Sequence, residues 1–236
     1  MVTESLIVSM ARTPIGSFQG ALSSVPTVHL GAAVIKSSIE RAGIGGIHVN
    51  EVIMGNVLSA GGGQAPARQA SIYAGLPESV ECMTINKVCG SGLKSVMLAD
   101  QAIRCGDADV IVAGGMENMS QSPYYLMDAR EGMSMGHKKV VDSLIQDGLW
   151  DPYGDMHMGN CAEVLAKEGN YSREDQDKFA VESYQRSMEA IKKGYFQDEI
   201  APVEVPQRKG DPVIVDTDEE PGRGKPEKIS KLRPAF

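Results

Sequence analysis

Cysteine is scarce in this sequence: four residues among 236, at positions 82, 89, 105 and 161. No two are spaced as CxxC and no histidine pair accompanies them, which argues against a structural zinc site and against a disulfide framework. A reducing compartment is the simpler expectation. Basic residues are outnumbered, 23 Lys and Arg against 31 Asp and Glu, giving a net charge of −8. Nonspecific binding to nucleic acid through a basic field is thereby excluded, and a phosphate-bearing ligand would need a local basic patch. There is no run of 18 apolar residues, so no membrane span is expected. The opening MVTESLIVSM has neither a basic region nor an apolar signal core and reads as a surface tail entering a first strand. Internal repeats and low-complexity tracts are absent too.

What is present is ordinary globular composition, 42% hydrophobic and 23% charged, in a length that suits one large domain or two small ones. Strand and helix patterns alternate along the first half. Leu6 to Met10 reads as a buried strand ended by the Pro14 and Gly16 loop. Leu30, Val34, Ile35 and Ile39 share one helix face, stopped by AGIGG. EVIMGNV (51–57) is a second strand, and SAGGGQAPARQA (59–70) is a glycine-rich loop feeding a helix that runs to about Ala74. Met83 to Val88 is a third strand, Leu93 to Ile103 a helix face, and Val110 to Ala113 a fourth strand ended by Gly114 and Gly115. That order predicts a layered α/β domain with a mostly parallel sheet.

The text then changes. Residues 121 to 157 are rich in Met, Tyr, Asp and Gly with little periodicity. Helices are expected over 160–168 and 173–192, the second opened by a capping box between Ser172 and Asp175. Past Pro206 a short strand, VIV (213–215), stands among Pro, Gly, Lys and Asp. The division expected is an α/β domain over 1–120, lacking its last strand, and an irregular lid over 121–236.

The segment INKVCGSGLKSV (85–96) puts Cys89 at a strand-to-helix junction. A helix N-terminus offers free N–H groups and a positive dipole end, which stabilise a thiolate and can receive an oxyanion. Gly90 and Gly92 leave room for a substrate. These are the parts of a nucleophile elbow with cysteine in place of serine. The alternative is equally open on spacing alone: a small buried hydrophobe with glycines that serve helix–sheet packing. For Cys82, Cys105 and Cys161 the buried reading is the expectation. His29, His48 and His137 read as surface or helix positions. Met156, His157 and Met158 form a packed MHM, with a soft copper site as the lesser alternative. GGG at 61–63 is not a P-loop, since no GKS or GKT follows.

INKVCGSGLKSVMLADQAI (85–103) resembles the acyl-enzyme signature of the thiolase family. VSMARTPIGSFQGAL (8–22), GNVLSAGGGQAPARQA (55–70), VAGGMENMS (112–120), DGLWDPYGDMHMG (147–159), SREDQDKFAVESYQRS (172–187) and KLRPAF (231–236) resemble thiolase segments in the same order. The likeness is to the acetoacetyl-CoA type. It implies a thiolase-like α/β layered fold, its N-terminal half with an inserted lid, and acetyl transfer between coenzyme A thioesters through an acetyl-Cys89 intermediate. It also implies no metal and no covalently bound cofactor, coenzyme A thioester serving as substrate. Cys89 matches the nucleophile, and its backbone N–H would supply half of the oxyanion hole. Leu149 matches an apolar pocket residue, His157 and Met158 line the pantetheine end, and Arg223 falls where the family sets an arginine against the nucleotide. The basic run Arg223, Lys225, Lys228, Lys231 and Arg233 suits phosphates on this reading and a solvated loop otherwise. Pro221 stands where some members carry a potassium-binding tyrosine, so no potassium site is inferred.

Thiolases consist of two similar α/β halves, and the second supplies an Asn-Ala-Ser segment, a Gly-His-Pro histidine and a Cys-x-Gly-Gly cysteine. None of these motifs occurs here. The resemblance therefore implies a fragment or one chain of a split enzyme, ending before the strand that completes the first sheet and inactive alone. Its implied partners are acetyl-CoA, acetoacetyl-CoA and thiolase subunits in a dimer or tetramer. Its implied location is intracellular, mitochondrial by resemblance, or cytoplasmic for want of a transit peptide. A non-catalytic truncated chain that binds coenzyme A or full-length subunits is the alternative function. A decarboxylating condensing enzyme of the ketoacyl-synthase type is the third, against which the NKVCGSG and HMG contexts speak.

Overall fold

Three short parallel strands form the sheet from which the rest of the molecule is hung. A computed structural model describes residues 4–236, and in it β1 (Glu51–Gly55) lies between β2 (Glu81–Ile85) and β3 (Ile111–Gly115). The register is in step: Glu51 faces Glu81 and Ile111, and Gly55 faces Ile85 and Gly115. Side chains alternate across a strand. Val52 and Met54 of β1 therefore enter one core, with Ile35 of α1 (Thr27–Ala42), Ala67 and Ala70 of α2 (Pro66–Tyr73), and Val49, Leu76, Val80 and Met116. Ile53, also fully buried, points to the opposite face, which α3 (Ser91–Cys105) covers through contacts with β1 and β3.

The expected helices and strands lie within a few residues of their observed ends. One element is a correction. Residues 6–10 form no strand, and Leu6, Ile7, Val8 and Met10 are each at least 70% exposed. A strand exists only through its ladder partners, and this segment pairs with neither outer edge of the sheet. This segment is tied instead by Ser5 Oγ donating to Asp100 of α3 and by Arg41 of α1 donating to the Met10 carbonyl. A gap of about 210 Å³ lies between residues 11–13 and β3, lined also by Val112, Ala113 and Gly114.

The second half carries four two-residue strands paired as hairpins, β4 (Tyr124–Tyr125) with β5 (Val141–Asp142) and β6 (Trp150–Asp151) with β7 (Met156–His157). α4 (Met158–Glu168) and α5 (Arg173–Lys192) follow, the latter opened by the expected Ser172–Asp175 capping box. β8 (Val203–Val205) and β9 (Val213–Val215) make an antiparallel pair, and α6 (Glu219–Arg223) closes the region. This half is joined to the first. Val203 and Val205 share a buried cluster with Leu22, Val25 and Leu30, and Arg12 and Glu199 to Ala201 exchange backbone bonds.

The N-terminus of α3 is set directly onto the strand ends, and glycine makes the approach possible. A Cβ added to Gly55 would stand 2.6 Å from Ser91 Cβ and 2.8 Å from Gly92 N; one added to Gly115 would stand 3.4 Å from Gly92 Cα. The buried stripe of α3 is Ser91, Ser95 and Ala99, small residues one turn apart. Ser95 Oγ lies 2.6 Å from the Gly92 carbonyl and 2.7 Å from that of Gly114 and donates to one or the other. Gly55→Ala is expected to push α3 off the sheet and destabilise the fold by about 2–3 kcal/mol, as overpacking does, read as a lowered urea midpoint.

Candidate active site

Cys89 is exposed, on a short turn between β2 and α3. The turn is strained. Val88, a β-branched residue, sits at φ 47°, which costs on the order of 1–3 kcal/mol and persists only where neighbours over-determine it. Four hydrogen bonds do so. Val88 N donates to Asn86 Oδ1 at 2.8 Å, Ser91 Oγ and Ser91 N both donate to the Val88 carbonyl, and Lys87 N donates to Ser91 Oγ. The result lifts Cys89 out of the strand direction, ahead of Gly90, the residue that caps α3.

Two sequence expectations are refined here. The first amides after Cys89 are not free: Gly90 N and Ser91 N donate to the carbonyls of Lys87 and Val88 at 3.1 Å. Gly92 lies against Gly114 and Gly115 and also lines the cavity beside Cys89, so it takes part in the helix–sheet packing as well as bordering that space. Of the other thiols, Cys82 and Cys161 are half-buried, and Cys105 is exposed. The expected burial of Cys105 thus fails, because it ends α3 on the face that no element covers.

Cys89 opens into a cavity of about 410 Å³ walled by the strand ends and the second half of the chain. Val57, Leu58, Met119, Gly148 and Leu149 are among its lining residues. Leu149 closes a single π-helical turn, Leu144–Leu149, a wide turn often found at functional sites. The structure thus brings Cys89 and Leu149 together. His157, Met158 and Arg223 are not among the lining residues. His157 stacks on Phe236 with ring centroids 4.8 Å apart and accepts Gly159 N at its Nδ1, capping α4. Met158 is the exposed first residue of α4, and Arg223 donates to Glu219 Oε1 at 3.0 Å. Among the described residues no group of three or more metal-binding side chains exists.

Beneath the cavity lies a crosspiece that the sequence reading did not single out. Asn56 N donates to the Ile85 carbonyl at the end of β2. Its Nδ2 lies 3.2 Å from the Met116 carbonyl and 2.7 Å from Glu117 Oε1, beyond the end of β3. The Glu117 carboxylate also accepts Val57 N at 2.8 Å and Leu58 N at 3.2 Å. Burial pushes the Glu117 carboxyl above its ordinary value, against the downward pull of the Val57, Leu58 and Asn56 donors. The signal was available: a polar residue directly past the carboxyl ends of parallel strands is where α/β folds place their sites.

The comparisons with known proteins point one way. The sequence matches the family described as "Thiolase, N-terminal domain" over residues 5–236. It is 57% identical over 232 residues to the acetyl-CoA acetyltransferase of Pseudomonas aeruginosa, covering 98% of this chain and 59% of that protein. It is 56% identical over 236 residues to the acetyl-CoA acetyltransferase of Cupriavidus necator, covering 100% of this chain and 60% of that one. Among solved structures, the Acat5 thiolase of Ascaris suum in complex with coenzyme A superposes with a TM-score of 0.93 at 42% identity, covering 99% of this chain and 59% of that chain. The chain spans about three-fifths of the length of these relatives.

Proposed function

From its membership of the thiolase family, in the N-terminal domain, we propose that this chain supplies the nucleophile half of an acetyl-CoA acetyltransferase. The observation that carries the reading is Cys89, exposed on a strained turn before the N-terminus of α3 and open to a cavity walled by Leu149. The Cys89 thiolate attacks the thioester carbonyl of acetyl-CoA. The carbonyl–sulfur bond to coenzyme A breaks, the thiol leaves with a proton, and acetyl-Cys89 remains. A second acetyl-CoA, having lost an α-proton, then attacks that thioester to give acetoacetyl-CoA and free Cys89. With Gly90 N and Ser91 N engaged, the Cys89 amide is the oxyanion donor this proposal assigns within the turn.

Among the described residues, Cys89 and Glu117 are the titratable ones lining the cavity, and Glu117 is held by three donors. The base for the α-proton is assigned to a portion corresponding to the remaining two-fifths or so of the relatives' length, so this chain by itself is proposed to accept acetyl groups without turning over. A strand from that portion is assigned to the gap beside β3. His157 and Met158 are proposed to line the pantetheine path and Arg223 to face the nucleotide, once freed from Glu219. The lid assignment over 121–236 belongs to the same proposal, as do a dimeric or tetrameric partner arrangement and an intracellular setting. The exposed Leu93, Val96 and Met97 on α3 favour the second reading, a non-catalytic chain that docks on other subunits.

The test is intact mass and peptide mapping after incubation with acetyl-CoA. An acetyl group on Cys89 and not on Cys105 is expected. No adduct on Cys89, even with the C-terminal remainder of the Pseudomonas aeruginosa relative supplied, would overturn the assignment.

A further inference from the structure

Two side chains, Glu117 and Leu58, connect the crosspiece to the Gly148 and Leu149 part of the cavity lining. Glu117 fixes the backbone of Val57 and Leu58 through their N–H groups. Leu58 in turn lies beside Gly148: a Cβ added to that glycine would stand 3.4 Å from Leu58 Cδ2. Gly148 precedes Leu149, and both line the same cavity as Cys89 and Leu58. Where Glu117 holds Leu58 therefore bears on how closely residues 148 and 149 approach the strand ends in the cavity lining. Among the described residues no cation pairs with Glu117 in a salt bridge, so its carboxylate has backbone and amide donors as its only partners. A carboxylate can accept all three donors, and a carboxamide cannot: one N–H is left facing an NH₂. That chemistry explains a glutamate here, where burial alone would favour an apolar residue.

We propose that Glu117 is a positioning residue that sets the width of the Cys89 cavity through Leu58 and so restricts the acyl groups the sulfur accepts to short ones. The proposal rests on the reading of Cys89 as an acyl acceptor, but its first test does not. Cys89 is alkylated with N-methylmaleimide and with N-cyclohexylmaleimide, and the two rates are followed by peptide mapping. Exposed Cys105 is the control for reagent chemistry, and half-buried Cys82 reports unfolding. One methylene in a closed pocket discriminates by about tenfold or more, so wild-type Cys89 is expected to prefer the small reagent by about that factor relative to Cys105. In Glu117→Gln the preference falls at least about threefold by the same reckoning, with the small-reagent rate little changed. Leu58→Ala, which leaves the crosspiece intact, gives the same loss and decides the matter if the glutamine variant lets Cys82 react as Cys105 does. A preference unchanged in a folded Glu117→Gln, or in Leu58→Ala, overturns the proposal. In the second arm, acetyl-CoA and butyryl-CoA compete for Cys89, and the variant shifts the adduct ratio toward butyryl. Absence of any acyl adduct in the wild type counts against the acyl-acceptor reading alone, because the alkylation ratios still report on Glu117.

Discussion

Cys89→Ser is expected to lower the rate of acetyl-adduct formation by at least about 10³, the scale on which removal of a nucleophile acts, while shifting the urea midpoint by less than about 0.5 kcal/mol in stability, as exposed substitutions do. The two effects separate because Cys89 is exposed and its neighbours, not its sulfur, hold the turn. The same helix provides the comparison. Cys105 is also exposed, yet it is the last residue of α3, whereas Cys89 precedes the first. A helix dipole favours negative charge at its N-terminal end and disfavours it at the other. With limiting iodoacetamide near neutral pH, wild-type Cys89 is therefore expected to be carboxamidomethylated several-fold faster than Cys105. Equal rates would remove the electrostatic basis for choosing between them. An acetyl adduct on Cys89→Ser at an undiminished rate would remove the nucleophile assignment itself.

The parallel sheet was legible because its strands are short apolar runs ended by glycine, and the helices between them carry one apolar face. EVIMG and IVAGG stop where Gly55 and Gly115 admit the N-terminus of α3. Residues 6–10 misled for a physical reason. A continuous apolar run announces that side chains want burial on two faces, and does not say which strand, if any, it will pair with. Here the outer edges of β2 and β3 carry no strand among the described residues, yet the run pairs with neither and stays exposed. The second half of the chain was the least legible. Its two-residue strands are too short to show a periodicity, and its attachment to the first half runs through Arg12 to Glu199 and Asp218, 187 and 206 positions away.

The site divides in the same way. Cys89 announced itself because the chemistry of a thiol before a glycine-flanked helix is local, and Leu149 came with the family resemblance. Asn56 and Glu117 did not, because each acts through a partner 60 or 61 residues away, a distance that spacing rules do not reach. His157 is legible only as an N-cap and a ring stacked on Phe236.

Asp218→Asn is expected to destabilise the fold by about 2–3 kcal/mol at neutral pH, below the range of about 3–5 kcal/mol for breaking a fully buried ion pair, since Arg12 remains 29% exposed. Asp218 is 8% exposed. It takes Arg12 Nη1 at 2.7 Å and Nη2 at 2.9 Å, and Ile15 N at 2.8 Å. Arg12 meanwhile donates Nε to Glu199 at 2.5 Å and lies over the Phe196 ring, 4.8 Å from its centroid. One guanidinium thereby ties the first loop to two segments of the second half. Burial alone would raise the Asp218 carboxyl, but the Arg12 guanidinium and the Ile15 amide outweigh it and hold it below its ordinary value. A carboxyl depressed in the folded state contributes stability that is complete above its unfolded value of about 3.9 and is lost as pH falls through the lower folded value. The gap between wild type and variant in urea unfolding should accordingly be constant from about pH 5 to 8 and narrow below about pH 4. Proteolysis at neutral pH should cut the variant first within 196–223, where the tie is lost. A gap that persists undiminished at pH 3 would mean that shape, rather than charge, holds the two halves of the chain together.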